Sequence, residues 1–157
     1  MSAHPESKID CSKVYVKSSS FVNEETGEFD GAFAAVPIKK GELVEKGLMR
    51  RLPDGFDGNT CTYIFTWSKE RPNKVWGMGS GCAPYYNTAH TEEANTKMVR
   101  TFDEDRFEIY AARDIEADEE LTHTYISLEW RKCFSELNTI INGEQTATKP
   151  AAEAEAA

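Results

Sequence analysis

Apolar and polar residues alternate over several short stretches of this chain, and a period of two is typical of β-strands. The clearest case is LTHTY at residues 121–125. Leu121, His123 and Tyr125 would share one face of such a strand, and Thr122 and Thr124 the other. Because an imidazole and a phenol would then lie side by side, this strand is a candidate functional site.

A longer pattern occurs twice. FAAVPIKKGELV at residues 33–44 and YAARDIEADEEL at residues 110–121 share an aromatic residue, two alanines, an isoleucine and a turn residue followed by Glu, at the same spacing. We call them the first and second repeats. They predict two strand–turn–strand units, with turns near residues 39–41 and 116–118. The alternative for the second repeat is an Ala- and Glu-rich surface helix, although Pro37 and Gly41 of the first repeat disfavour a helix.

Five further stretches complete the predicted elements. Residues 14–16 read as a short edge strand, and the β-rich, aromatic segment CTYIFTW at residues 61–67 reads as another strand. Residues 97–102 and 106–112 predict two strands that turn at Asp103-Glu104-Asp105. The segment RKCFSELNTIIN near the C-terminus predicts one short helix. The pattern as a whole indicates a β-rich fold.

The length of 157 residues suits one domain. We expect a flexible segment over residues 1–12, a folded domain over 13–137 and a low-complexity, disordered tail over 138–157. No apolar run approaches the ~20 residues of a membrane span, and the N-terminus lacks an apolar signal core. We therefore expect no membrane association and a cytoplasmic or nuclear location.

The four cysteines are far apart in sequence and form no CxxC pair. This spacing argues against a zinc site and, in a cytosolic chain, against disulfides. No metal site is therefore predicted.

The net charge is −9, and residues 91–120 carry eleven acidic residues against four basic ones. An acidic surface of this kind repels nucleic acid and attracts a basic partner such as a lysine-rich peptide. The alternative is a solvated acidic face with no partner.

Four motifs in order give the chain a family resemblance. GAFAAVPIKKGELVE, TYIF, GMGSGCAPYYNTAHTEEANT and DEELTHTY follow one another along the sequence. Their order from Val14 to Arg131 resembles the SET domain, the β-rich fold of protein-lysine methyltransferases. The resemblance implies a β-clip-like fold of several short sheets with a knot-like C-terminal segment.

The resemblance also implies a cofactor, a substrate class and a set of site residues. The cofactor is S-adenosylmethionine, bound by Gly31, Ala32, Phe33, Asn87, Thr88 and Trp130. The substrate is a lysine-containing basic protein or peptide, histone or non-histone. Tyr125 and, second to it, Tyr63 are the predicted catalytic phenols, and Tyr85 and Tyr86 are predicted to line the substrate channel.

The chain departs from the family pattern at several places, two of them in the cofactor motifs. Thr88 and Ala89 stand where the family has His and Ser after the asparagine, and Phe29 replaces the first glycine of the opening Gly-x-Gly. Two hypotheses follow: an active lysine methyltransferase, or a SET-like module without catalysis that binds a basic peptide or partner protein.

Overall fold

The computed structural model describes residues 4–21, 29–70, 72–89 and 93–125. In these ranges the chain forms short strands and single 3-10 turns. The strands are β1 (Val14–Ser18), β2 (Asp30–Ala34), β3 (Leu43–Arg51), β4 (Phe65–Thr66), β5 (Trp76–Gly79), β6 (Asn87–Thr88), β7 (Thr96–Thr101), β8 (Arg106–Ala111) and β9 (Thr122–His123). The described residues include no helix that is long and apolar enough to cross a membrane. The predicted fold class, mostly β with several small sheets, is confirmed.

The described chain divides into two compact units. The first consists of residues up to Arg50 together with Gly79–Thr124, and the second of Arg51–Met78 together with Tyr125.

Three sets of paired strands build the first unit. β1 pairs antiparallel with β2, and β8 lies between β3 and β7 with both pairings antiparallel. β6 and β9 are two residues long and pair in parallel, with Asn87 opposite Thr122 and Thr88 opposite His123. A parallel pair cannot be closed by a hairpin, so segments distant in sequence must meet there.

The β7–β8 hairpin forms where the alternation predicts it. Phe107, Ile109 and Ala111 of β8 are buried, while the residues between them are partly exposed. The connection is a 3-10 turn over Phe102–Glu104, closed by Asp105 in the left-handed region at φ 49°. The predicted turn at residues 103–105 is confirmed.

Both repeats form strand–turn–strand units, so the helical alternative for the second repeat is wrong. In the first repeat Glu42 donates its N–H to the Lys39 carbonyl (3.0 Å), and in the second Glu119 donates to the Glu116 carbonyl (3.2 Å). Both turns therefore lie where they were predicted. The repeats contact each other through an isolated antiparallel bridge between Ile38 and Ile115.

Two predicted strands are shorter than expected. Of residues 61–67 only Phe65 and Thr66 are in a strand, and of residues 121–125 only Thr122 and His123. The expected alternation of faces also fails in β9, because Leu121, Thr122 and His123 are all buried. A segment covered on both sides shows no exposed face, which is typical of buried parallel strands.

The second unit is organised around tryptophans. β4 and β5 pair antiparallel, with Thr66 opposite Trp76, and Trp67 donates its N–H to the Val75 carbonyl (2.8 Å). Trp67 and Trp76 are both buried. A Cβ on Gly58 would lie 2.2 Å from the ring of Trp76, so only glycine permits this packing.

The N-terminal segment is attached to the first unit. Asp10 exchanges two backbone hydrogen bonds with Lys46, at 2.9 and 3.0 Å, ahead of the predicted domain start at residue 13. The predicted C-terminal helix, the knot-like segment and the tail lie outside the described residues.

Candidate functional site

Three segments of the first unit meet at the side chain of Asn87. Its Nδ2 donates to the Asp30 carbonyl of β2 (3.2 Å), to Ser19 Oγ (3.2 Å) and to Glu120 Oε2 (3.1 Å). Ser19 follows β1, Asp30 is the first residue of β2, and Glu120 lies two residues before β9. One side chain therefore links the predicted cofactor hairpin to the asparagine motif.

The carboxylate of Glu120 is the centre of this arrangement. Oε1 accepts from the Ser20 N–H and from Ser20 Oγ, both at 2.6 Å, and Ser19 Oγ contacts Oε2 at 2.8 Å. Glu120 is only 9% exposed. We call Ser19, Ser20, Gly31, Asn87 and Glu120 the Glu120 cluster.

Gly31 is the member of the cluster that has no side chain to contribute. A Cβ at this position would lie 2.7 Å from Glu120 Oε2 and 3.1 Å from Asn87 Nδ2. Either distance is too short for an ordinary carbon contact, so the cluster requires glycine here.

The neighbouring predicted residues Ala32 and Phe33 are both buried. Ala32 accepts the Leu121 N–H on its carbonyl (2.8 Å). The Phe33 ring stacks on Tyr15 at 5.7 Å, and the Lys17 amine lies 4.4 Å from its centre. Both side chains are thus packed inside the protein. Any contact of Ala32 or Phe33 with a cofactor would be made by backbone atoms.

Thr88 is held by the parallel pairing of β6 with β9. It lies opposite His123, and the next residue, Ala89, donates its N–H to the His123 carbonyl (3.1 Å). The Thr88 side chain is buried. The structure thus places Gly31 on β2 and both Asn87 and Thr88 on β6, and the Asn87 side chain connects these two strands. The predicted Trp130 lies outside the described residues.

Tyr86 is part of a buried polar chain. Its hydroxyl donates to Glu45 Oε1 (2.9 Å), its ring stacks on His123 at 5.7 Å, and the Cys82 N–H donates to Glu45 Oε2 (2.9 Å). Tyr86 is 1% exposed. The packing therefore does not favour a channel position for Tyr86, and that role stays a prediction.

Burial determines the protonation of the buried side chains Glu45, Tyr86 and His123. Desolvation raises the pKa of Glu45 to about 7, against the opposing effect of the hydrogen bond from Tyr86. Desolvation, with the nearby Glu45 carboxylate, also raises the pKa of Tyr86 above its usual value. Burial lowers the pKa of His123 to about 3, and the charge of Arg100 acts in the same direction. His123 is therefore neutral at physiological pH.

The remaining predicted tyrosines are more accessible. Tyr85 is 42% exposed in the first unit, and Tyr63 is 70% exposed in the second. Tyr125 is half-buried and also belongs to the second unit. Their predicted catalytic and channel roles stay predictions.

Sequence analysis missed Glu120 and Glu45 as site residues. Glu120 stands in the DEEL motif that carries part of the resemblance, so that motif was the available signal. Glu45 follows an apolar pair at the end of the first motif and looks like any surface glutamate. Within the described ranges, no group of three or more His, Cys, Asp or Glu side chains could hold a metal ion.

Comparison with known proteins identifies the family. Residues 30–126, more than half of the chain, match the sequence model of the SET domain. The chain belongs to the SET domain family. This is a family of methyltransferases, and the predicted resemblance is confirmed.

Solved structures with this fold include two kinds of SET protein. A candidate histone methyltransferase from Plasmodium falciparum is 19% identical with a TM-score of 0.54, and the alignment covers 72% of this chain and 92% of that one. A chain of the Chaetomium thermophilum polycomb repressive complex 2 is 27% identical with a TM-score of 0.52, over 71% of this chain and 15% of that one. A ctPRC2 structure bound to S-adenosylmethionine is 25% identical, with a TM-score of 0.51 over the same shares. This SET domain thus corresponds to a small part of the polycomb chain.

No curated protein sequence is significantly similar to this SET domain.

Proposed function

We propose that this SET domain transfers a methyl group from S-adenosylmethionine to the side-chain amine of a lysine in a basic protein or peptide. The observation that carries the proposal is the meeting of Gly31 and Asn87 at the Glu120 carboxylate. These two residues come from the separate motifs that the resemblance assigns to the cofactor. The S-adenosylmethionine bound to ctPRC2, a structural neighbour, supports the same ligand.

The residues of the first unit fit a cofactor of this kind. Gly31 makes room beside β2 for two polar groups, the Glu120 carboxylate and the Asn87 amide. Asn87 supplies a side-chain amide, and Thr88, the next residue of β6, supplies backbone groups. When bound, the cofactor supplies an electrophilic methyl group on a sulfonium.

The reaction requires a lysine amine in its neutral form. The ordinary pKa of lysine is ~10.4, and removal from water beside another cation lowers that pKa. A phenol oxygen can accept a hydrogen bond from the amine and hold its lone pair in line with the methyl group. We assign this role to Tyr125, with Tyr63 as the second phenol and Tyr85 flanking the substrate.

The acidic character of the chain favours a basic substrate. The net charge of −9 attracts lysine-rich segments and disfavours direct binding to nucleic acid. We propose a basic protein, histone or non-histone, encountered in the cytoplasm or the nucleus.

A second function, peptide binding without catalysis, is favoured by one feature. Thr88 and Ala89 replace the His and Ser of the family motif, and β6 holds Thr88 in a buried position. Substitutions in this motif leave the fold in place but remove side chains that other members have.

The test combines binding and transfer. Calorimetry with S-adenosylmethionine should show binding by the purified chain, and labelled cofactor should transfer its methyl group to lysines in a panel of basic proteins. Binding of a basic peptide without transfer to any member of the panel would favour the second function. Failure to bind S-adenosylmethionine would refute the methyltransferase proposal.

A further inference from the structure

Two cysteines from distant parts of the chain lie side by side in the first unit. Cys11 precedes β1, and Cys82 precedes the 3-10 turn over Ala83–Tyr85. The two thiols share a side-chain hydrogen bond. A Cβ at Gly81, the residue before Cys82, would lie 3.4 Å from Cys11 Sγ and 3.5 Å from Cys11 Cβ. The side chain of Cys11 therefore packs directly on the backbone that leads into Cys82.

Backbone hydrogen bonds hold both cysteines in place. The Cys11 carbonyl accepts the Val14 N–H (3.0 Å), and the Cys82 carbonyl accepts the Tyr85 N–H (2.9 Å). The Cys82 N–H donates to the buried Glu45 carboxylate at 2.9 Å. Both residues are free cysteines and partly exposed. A small oxidant can therefore reach the pair while the backbone keeps the two thiols in contact.

The surroundings of Cys82 decide which thiol reacts first. Burial, and after it the charge of Glu45, raises the pKa of the Cys82 thiol to about 12. A cysteine attacks an oxidant as its thiolate, so Cys82 is a poor first nucleophile near neutral pH. The first reaction is therefore left to Cys11. Once the Cys11 sulfur carries a leaving group, attack by Cys82 is intramolecular, and proximity offsets the low fraction of Cys82 thiolate.

We propose that Cys11 and Cys82 are a redox pair, in which Cys11 reacts first with an oxidised low-molecular-weight thiol such as glutathione disulfide and Cys82 then closes an intrachain disulfide. In the first step the Cys11 thiolate bonds to one glutathione sulfur, and the other glutathione leaves as a thiolate. In the second step the Cys82 thiolate attacks the Cys11 sulfur and expels the bound glutathione. The two protons of the cysteine thiols pass to the two glutathione thiolates, so the protein is oxidised and the glutathione disulfide is reduced.

The disulfide would fasten the N-terminal segment to the turn that precedes β6. In the reduced chain this segment is attached by the two backbone hydrogen bonds between Asp10 and Lys46. A covalent link between positions so distant in sequence restricts the unfolded chain, and it thereby stabilises the folded one. In a reducing compartment the pair stays open, and it closes when the thiol pool is oxidised.

The test maps the linkage in the full chain. Reduced protein at low concentration is incubated with glutathione disulfide, alkylated and digested with trypsin. We expect a product, cleaved by dithiothreitol, that joins peptide 9–13 to peptide 75–97 and is at least about tenfold more abundant than any other pair of cysteine peptides. The oxidised protein should run as a single chain on a denaturing, non-reducing gel. It should also melt at least about 3 °C above the reduced protein.

Single substitutions separate the two steps. In Cys82→Ser the second step is lost, so glutathione should remain on Cys11. In Cys11→Ser the first nucleophile is lost, so Cys82 should carry at least about tenfold less glutathione than Cys11 does in Cys82→Ser. Neither variant should gain melting temperature on oxidation. If one of them does not fold, the other variant and the peptide map of the wild type decide the question.

The matched control is Cys61→Ser, which removes a free, partly exposed cysteine from the second unit. This variant should keep both the disulfide and the rise in melting temperature.

Four results would overturn the inference. They are a wild type without the linked peptides, a linkage that joins two separate chains, a Cys61→Ser variant that loses the disulfide, and equal glutathione content of Cys82 and Cys11 in the two single variants. None of these measurements depends on methyl transfer, so the proposed function is tested separately.

Discussion

Ile38 and Ile115 exchange two backbone hydrogen bonds, at 2.9 and 2.8 Å, and thereby join the two repeats of the sequence at their equivalent isoleucines. The hydrogen bonds on either side follow the same correspondence. Gly41 donates to the Ala111 carbonyl (2.8 Å), and Asp118, its counterpart, donates to the Ala34 carbonyl (2.7 Å). The repeats thus pair with approximate two-fold symmetry, because equivalent residues of the two repeats make equivalent backbone hydrogen bonds.

The symmetry predicts that the turn of the first repeat depends on a left-handed residue. Gly41 has φ 86°, and its counterpart Asp118 has φ 66°. Nothing lies within 4 Å of a Cβ at Gly41, so Gly41→Ala introduces conformational strain without a clash. We expect a loss of roughly 1–2 kcal/mol in the free energy of unfolding, measured in urea. Gly55→Ala, also at positive φ in open space, should cost a similar amount, and no loss in either variant would contradict this account.

Tyr125→Phe tests the catalytic assignment. The substitution removes one hydroxyl and little volume, so the melting temperature and the affinity for S-adenosylmethionine should remain close to the wild-type values. Turnover should fall at least about tenfold, which corresponds to ~1.4 kcal/mol in the activation free energy. Transfer of labelled methyl groups to a basic protein measures this. Tyr110→Phe, in which a tyrosine hydroxyl bonded to Glu108 is lost from β8, is the control and should keep full activity. Unchanged turnover in Tyr125→Phe would exclude that residue from catalysis.

Glu45 should make stability fall as pH rises. Its pKa is about 7 in the folded chain and near 4.5 in the unfolded chain, so the folded state binds the proton more tightly. The stabilisation is complete below about pH 4.5 and is lost as pH rises through 7. Between about pH 5 and 8 the wild type should lose roughly 2–3 kcal/mol relative to Glu45→Gln, measured by urea unfolding. Glu42→Gln, which removes a carboxylate from an exposed turn, is the control variant. Parallel profiles for the wild type and Glu45→Gln would disprove the shift.

His123 should act in the opposite pH range. Its folded pKa of about 3 lies below the unfolded value near 6.5, so the unfolded state binds the proton more tightly. The contribution of neutral His123 to the free energy of unfolding is therefore complete above about pH 6.5 and is lost as the pH falls towards 3. Between about pH 7 and 4 the wild type should lose roughly 3 kcal/mol that His123→Gln does not lose. The exposed His4 provides the control in His4→Gln, and equal acid sensitivity in all three proteins would rule out a role for His123.

The sequence by itself determined the local elements of the first unit and the family. The repeats, their turns and the β7–β8 hairpin were predictable because strand alternation and turn residues act over a few neighbours. The order of four motifs was enough to indicate a SET domain, since each motif is a continuous stretch of chain. Gly31 and Asn87 could be predicted as cofactor residues on the same basis, and that role stays a prediction, whereas their proximity in space could not be derived from the sequence.

Only the tertiary structure decided which polar groups are buried together. Ser19 and Glu120 are about a hundred residues apart, and no local pattern distinguishes Glu120 from the partly exposed Glu119 beside it. The burial of Tyr86 on Glu45 was hidden for the same reason, because a tyrosine on a surface and one in a core have the same neighbours in sequence. The pairing of β6 with β9 was not predictable either, because a parallel pair joins segments that no hairpin connects. Burial and charge pairing are properties of packed surfaces, and they exist only once the distant segments have met.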